Sequence, residues 1–480
     1  MTEQSLFPTG VASSSPLDRR DLLRVGAISL AGTALPTGLA TAANAAPAGG
    51  TPVDSVIFLW MGGGVTHIDS FDPKPHAPEE IRGTLGAIST SLPGVQFGEP
   101  MQALAPLADQ LCLVRSFSHD SNDHLLSQVY TLSGRKVGRN ELFSEPNLGA
   151  VVSHLLGPRK GLPGYIAVPG ITRPGPPPHN LFVGGWLGNE HAPFCLGGQP
   201  DQPDFTVGKK QDNPPPEHDE DLYPRELSYL PELTVGRISR RVSLRESLEQ
   251  AARAAEETAR HATVDGNYES ALHLLTAPSV QEAFDLSSVP DATRERYGRT
   301  KIGGRCLMAR RLVEAGARFV MVDYGYDPDY GNLWDIHNAA SQNFPHVSKM
   351  CMRGYNLAGM DRAFAGLLTD LNERGLSERT LVVFLTEFGR TPKINSRGGR
   401  DHWGMCGSMF FAGGGVQAGQ VIGETDAQAA WPLTPPHGPA DIAATIYHAL
   451  GINPETRIRD RENRPHPVLD HGRLIPGVLA

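Results

Sequence analysis

Histidines and carboxylates are unevenly distributed in this chain. They gather in four short stretches: His67, Asp69 and Asp72; His119, Asp120, Asp123 and His124; Asp335 and His337; and Glu387 followed by Asp401 and His402. Imidazole together with carboxylate suits Zn²⁺, Mn²⁺ or Fe, whereas a shell of carboxylates and carbonyls alone suits Ca²⁺ or Mg²⁺. A single loop Asp is ordinarily a cap or a turn former, and a single loop His is ordinarily solvated. Four such stretches on predicted strand-end loops point instead to one shared metal site.

Other residues are less specific. Gly62, Gly63 and Gly64 could cradle an anion on backbone N–H groups, but the stretch lacks the spacings of the dinucleotide and mononucleotide loops, and a tight turn out of a buried strand is the simpler reading. Arg390 and Arg400 fit either of two jobs, clamping an oxyanion or orienting Glu387 and Asp401. Ser127 and Ser133 have no base partner at a diagnostic spacing, and no G-x-S-x-G elbow occurs, which disfavours a serine hydrolase of that kind.

The elements that must carry these groups follow from the hydrophobic pattern. Residues 53–61 (VDSVIFLWM) form a continuous apolar run closed by the three glycines, the pattern of a strand buried on both faces. Similar runs lie at 111–117 and 165–168. Helical periodicity over 294–315 stops at Gly316 and leads into a strand at 318–322; a second helix over 361–373 stops at Gly375 and leads into a strand at 380–385. Helix, glycine stop and buried strand in succession predict an α/β fold with a mostly parallel central sheet and helices on both faces, whose ligands lie at the carboxyl ends of the strands. The Pro- and Gly-rich stretch 170–224 reads as an insertion and 237–300 as a helical segment, both decorating a single domain over 46–480.

Composition narrows the function. The net charge of −9 provides no broad electrostatic footprint for nucleic acid, and five scattered cysteines without a C-x-x-C pair indicate neither a thiolate zinc site nor a disulfide framework. At the N-terminus, Arg19 and Arg20 precede two leucines, Arg24 and an uncharged stretch too short to span a bilayer. Ala43 and Ala45 then make an A-x-A cleavage site. Residues 1–45 therefore read as a twin-arginine signal peptide, with export to the periplasm or the exterior and no stable membrane insertion after processing.

The motifs WMGGGVTHIDSFDPKP, SNDHLLSQVYTLSG, WDIH and TEFGRTPKINSRGGRDHWG resemble those of the bacterial family catalogued as domain of unknown function 1501, over nearly the whole mature chain. That family is similar to a divergent branch of the alkaline phosphatase and sulfatase superfamily. The resemblance implies an alkaline phosphatase-like sandwich and a divalent metal ion (Zn, Ca, Mn or Mg) held by Asp69, Asp335, His337, Glu387 and His402. Phe388 stands where the superfamily has a ligating His, and Asp123 and His124 stand where it has a nucleophile. A formylglycine mechanism is thereby excluded, leaving Asp123, His124 and Arg390 as the catalytic candidates around a metal-activated water. The function implied is hydrolysis of sulfate or phosphate esters, polysaccharide esters among them. The alternative is an inactive, metal-stabilised binding protein for anionic glycans or protein partners.

Overall fold

A computed structural model describes residues 53–170, 181, 183–197, 218–224, 274, 277–327, 329–339, 342 and 344–480. These fall in one compact unit, 43–233 with 273–480; the other unit, 1–42 with 234–272, lies outside the described residues, as do the leader and most of the predicted 237–300 helical segment.

Eight strands build the central sheet: β1 (Ser55–Trp60), β2 (Leu111–Phe117), β3 (Tyr165–Val168), β4 (Phe194–Cys195), β5 (Phe319–Asp323), β6 (Thr380–Leu385), β7 (Gly407–Gly413) and β8 (Gln420–Ile422), in the spatial order β8-β2-β7-β6-β1-β5-β3-β4. Only β7 runs against its neighbours, so the sheet is mixed but mostly parallel. Every residue of β1, β5 and β6 is buried. Because side chains alternate along a strand, this means that the sheet's centre is covered on both faces.

Register then sets the position of the loops. Trp60, the last residue of β1, pairs with Leu385, the last of β6, and with Asp323, the last of β5. The chain therefore leaves all three central strands at one level and one edge, and β2, which shares their direction, leaves there too. The four stretches rich in His and carboxylate follow these strands.

Helix boundaries have local causes. In α1 (His124–Ser133) the Asp123 side chain caps Leu126 N–H and Gly134, in the left-handed region, ends the helix. A shorter helix, α2 (Leu148–Leu156), runs beside β3 and β5. The single helix expected over 294–315 is instead two, Asp291–Arg296 and α3 (Lys301–Ala315), because Gly298 and Arg299 turn left-handed and Thr300 caps the second piece. The other core helices are α4 (Leu357–Glu373), capped by Asn356, and α5 (Pro439–Ala449), which packs on α1.

The Pro-rich stretch also differs from its reading as mere decoration. Phe194–Cys195 joins the main sheet as edge strand β4, and residues 218–224 dock on α3 and the short helix before it: Glu220 accepts from the fully buried Arg305 of α3 at 2.6 and 2.9 Å, and Asp219 from Arg294 of the preceding helix at 2.6 Å. The five cysteines are unpaired thiols, four of them buried. Among the described residues, no helix is long and apolar enough to cross a membrane.

Candidate metal centre

Asp335 lies on the loop after β5 at the carboxyl edge of the sheet. Its Oδ1 is 2.7 Å from His337 Nδ1, 3.0 Å from His402 Nε2, 3.2 Å from His124 Nε2 and 2.9 Å from Arg390 Nη2. A carboxylate oxygen offers about two lone-pair sites, so four nitrogens on one oxygen exceed what hydrogen bonding alone can satisfy.

Two of these imidazoles have their tautomer set from outside the cluster. Nδ1 of His402 is 3.0 Å from the Asn122 carbonyl, which can only accept, so Nδ1 carries the proton and Nε2 presents a lone pair when the ring is neutral. Nδ1 of His124 is 2.7 Å from Glu387 Oε1. That carboxylate already accepts from Gly63 N–H, from Gly64 N–H and from the Gln128 amide at 2.8 Å, so His124 Nδ1 donates as well and its Nε2 is left facing inward. Two imidazole lone pairs and a carboxylate oxygen thus converge, and His124, Asp335 and His402 form a candidate metal site with ligand atoms all within 4.8 Å of one another. A carboxylate or carbonyl behind each ligating imidazole is the arrangement that orients histidines toward a metal. A donor set rich in nitrogen suits Zn²⁺, Mn²⁺ or Fe better than Ca²⁺ or Mg²⁺.

When protonated, the same imidazoles serve Asp335 as donors. Burial works against ionisation of Asp335, but the charge of His124 and hydrogen bonds from His124, His337 and His402 outweigh it and hold the carboxyl well below the usual range. Burial lowers the pKa of His402; Asp335 partly offsets this, while Arg390 and His124 add to it. The site is open to solvent on one side: the side chains of His124, His402 and His337 are 19%, 25% and 28% exposed. Phe388 packs against both His124 and His402, with centroids at 5.0 and 4.9 Å, while the two imidazoles meet edge to face at 4.3 Å.

The remaining residues expected at the site have other partners. Both oxygens of Asp69 are taken by Arg400, at 2.8 and 3.1 Å, and Oδ2 also accepts from Thr66 at 2.7 Å; acid and guanidinium are both buried. Glu387 is fully buried and stands behind His124, not beside Asp335. Its cradle is the glycine loop: Gly63 (φ +130°) and Gly64 (φ +87°) aim their N–H groups at the carboxylate, so the anion-binding loop is filled by a residue of the chain itself. Arg390 is fully buried, donating to Gly63 O, Gly64 O, Arg400 O and Asp335; it orients the loops and does not face an incoming ligand. Asp123 caps α1 and accepts from Arg139 at 2.7 Å, which fixes His124 at the head of the helix. His337 touches Asp335 from the solvent side.

Two contributors escaped sequence reasoning. Gln128 lies four residues after His124 on the same helix face, a spacing that could have revealed it. Asn122 acts through its backbone carbonyl, which leaves no signature in residue type.

Among solved structures, the chain is similar to a protein of the alkaline phosphatase superfamily from Vibrio parahaemolyticus, at 9% identity over 91% of this chain and 76% of that one, with a TM-score of 0.34. It is also similar to a phosphonate monoester hydrolase from Silicibacter pomeroyi (10% identity, 83% and 73% coverage, TM-score 0.34) and to a sulfatase from Pseudoalteromonas sp. (13%, 83% and 68%, 0.33). At these identities the likeness concerns the fold alone. A comparison with curated proteins gives no match. The DUF1501 family model, described as a protein of unknown function, matches residues 53–479, and the chain belongs to that family.

Proposed function

We propose that this protein is an exported, metal-dependent hydrolase of sulfate or phosphate esters, those on polysaccharides included, with His124, Asp335 and His402 holding one divalent ion. The observation that carries the reading is the convergence of two imidazole lone pairs, each fixed by a partner behind the ring, with a carboxylate at a solvent-facing edge. When bound, a divalent cation supplies Lewis acidity toward an ester oxygen and lowers the pKa of water toward about 7. The chain's own part is to position and to move protons. Glu387 and Asn122 hold the ligand rings, Phe388 packs against both, and His337, the most exposed imidazole, is placed to take a proton from water or give one to the leaving group. The head of α1 carries an imidazole where a nucleophilic hydroxyl or thiol would otherwise stand, which supports water as the attacking group. Export rests on Arg19 and Arg20, outside the described residues.

The alternative is a metal-stabilised binding protein for anionic glycans or protein partners, and one observation favours its protein-binding form over the hydrolase: Arg390 and Arg400, the arginines that could have clamped an anionic ester, are buried and engaged internally. Metal analysis of the purified chain, followed by assays on aryl sulfate and phosphate esters with Zn²⁺, Mn²⁺, Ca²⁺ and Mg²⁺, separates the two. Turnover that disappears in His402→Ala supports the hydrolase; stoichiometric metal without turnover of any ester overturns it in favour of the binder.

A further inference from the structure

The loop after β8 presents two large apolar side chains to solvent, Trp431 at 51% and Leu433 at 67% exposure. Trp is usually well buried, so an indole left half in water calls for a reason. This loop is also rigidly built. Asp426 N–H donates to Trp431 O at 3.0 Å, Ala429 N–H to Asp426 O at 3.0 Å, and Gln428 and Ala430 N–H groups to Asp426 Oδ1 at 3.1 and 2.7 Å. Leu433 N–H closes the arm onto Glu424 O at 2.8 Å.

Three ties bolt the loop to the motifs that build the metal centre. His67 Nε2 donates to Ala429 O at 2.8 Å, Thr425 Oγ1 donates to Asp72, and Trp403 Nε1 donates to Ala430 O at 2.7 Å. Ala429 is fully buried at φ +57°, a conformation that a residue with a side chain adopts at a cost. Trp403, next in sequence to the candidate ligand His402, meets Trp431 edge to face at 5.4 Å and 77°. The indole is therefore presented in one orientation.

We propose that Trp431, flanked by Leu433, is a stacking platform for an uncharged sugar ring of a chain-like substrate. Three observations select this occupant. The stretch 401–456 contains no Lys or Arg, Glu424 and Asp426 belong to the platform loop, and the neighbouring Lys74 and Arg115 are paired with Asp72, so the loop itself offers no cation to a sulfated ring, a nucleic acid or an anionic lipid. Two side chains fall far short of the roughly 800 Å² per partner of a stable protein interface. A single flat indole with a fixed face matches the apolar face of one pyranose. His402 and Trp403 are consecutive in the short ribbon Gly389–Arg390/His402–Trp403, so their side chains leave opposite faces. The platform thus lies across the ribbon from the metal centre, and a ligand touching both must be an oligomer. This deepens the ester-hydrolase reading and rests on it for the nature of the substrate.

The test is binding of the metal-stripped full chain to an array of immobilised neutral and sulfated oligosaccharides of graded length, which measures the platform without turnover. Neutral or sparsely sulfated chains should be retained, with affinity rising from mono- to hexasaccharide. Trp431→Ala should weaken that binding about tenfold while Trp431→Phe restores most of it, a size set by the worth of one aromatic contact. His402→Ala should leave it intact. Retention of no glycan, equal binding by Trp431→Ala, a fall in oligomeric state in that variant, or binding to lipid vesicles instead would overturn the proposal. Glycan binding with no ester turnover would sink the hydrolase and leave the platform standing.

Discussion

Asp69 and Asp335 are both buried aspartates at the carboxyl edge of the same sheet, each facing nitrogen donors, yet they occupy opposite kinds of site. Asp69 meets one guanidinium whose two nitrogens match its two oxygens, and the charges cancel in place. Asp335 meets three imidazoles and part of a guanidinium on a single oxygen, while Gln342 Nε2 stands 3.4 Å from the other. The first arrangement is closed; the second is a candidate site for a cation. A cluster of acids and imidazoles in a sequence does not distinguish a finished ion pair from a candidate coordination shell, but the matching of donors to lone pairs does.

The largest expected effect comes from opening the closed site. Arg400→Ala leaves Asp69 buried without its cation and should cost about 3–5 kcal/mol in urea or thermal unfolding. An unfolding curve unchanged within about 1 kcal/mol would mean that the pair is not what holds this edge together.

Next, emptying the open site should change metal binding more than folding. His402→Ala should lower metal affinity by roughly 100-fold, and chelation should reduce the melting temperature of the wild type but not of the variant. Equal metal content in the two proteins would remove His402 from the site. A smaller loss, about 10-fold in metal affinity, is expected for Glu387→Gln, which keeps the shape of the carboxylate but weakens its hold on the His124 Nδ1 proton. Should that variant lose metal as completely as His402→Ala, Glu387 would be a ligand itself.

A third buried acid serves as a control. Asp361, on α4, accepts from the N–H groups of Ala103 and Leu104, and burial raises its pKa from 3.8 to about 7 in spite of those two bonds. The folded value exceeds the unfolded one, so folding favours the protonated acid. Its contribution is full below about pH 4 and is lost as pH rises toward 7. The stability difference between wild type and Asp361→Asn should therefore shift by about 3 kcal/mol between pH 4 and 7, the wild type weakening as pH rises. A difference that stays flat from pH 4 to 7 would show the carboxyl to be ionised throughout.

Much of the scaffold was legible in the sequence. Residues 53–61, 318–322 and 380–385 are apolar without interruption because strands covered on both faces have no polar side, and Gly316 and Gly375 mark helix ends because both take a left-handed backbone. The break at Gly298 and Arg299 was not legible, since helical periodicity continues through it. Nor was the docking of 218–224, where an acidic, Pro-rich composition suggests solvation but Glu220 has the buried Arg305 to meet.

By itself, then, the sequence determined that this is a mostly parallel α/β chain with its imidazoles and carboxylates on strand-end loops, because strand burial and side-chain chemistry are local properties of residue type. Which acid keeps its charge for a cation was decided only by the tertiary structure. Asp69 found Arg400 331 positions away, Glu387 found the glycine loop 324 positions away, and Asp335 was left to the imidazoles. Such pairings depend on distances of a few tenths of an ångström between loops that only the register of the sheet brings together, and residue types carry no record of those distances.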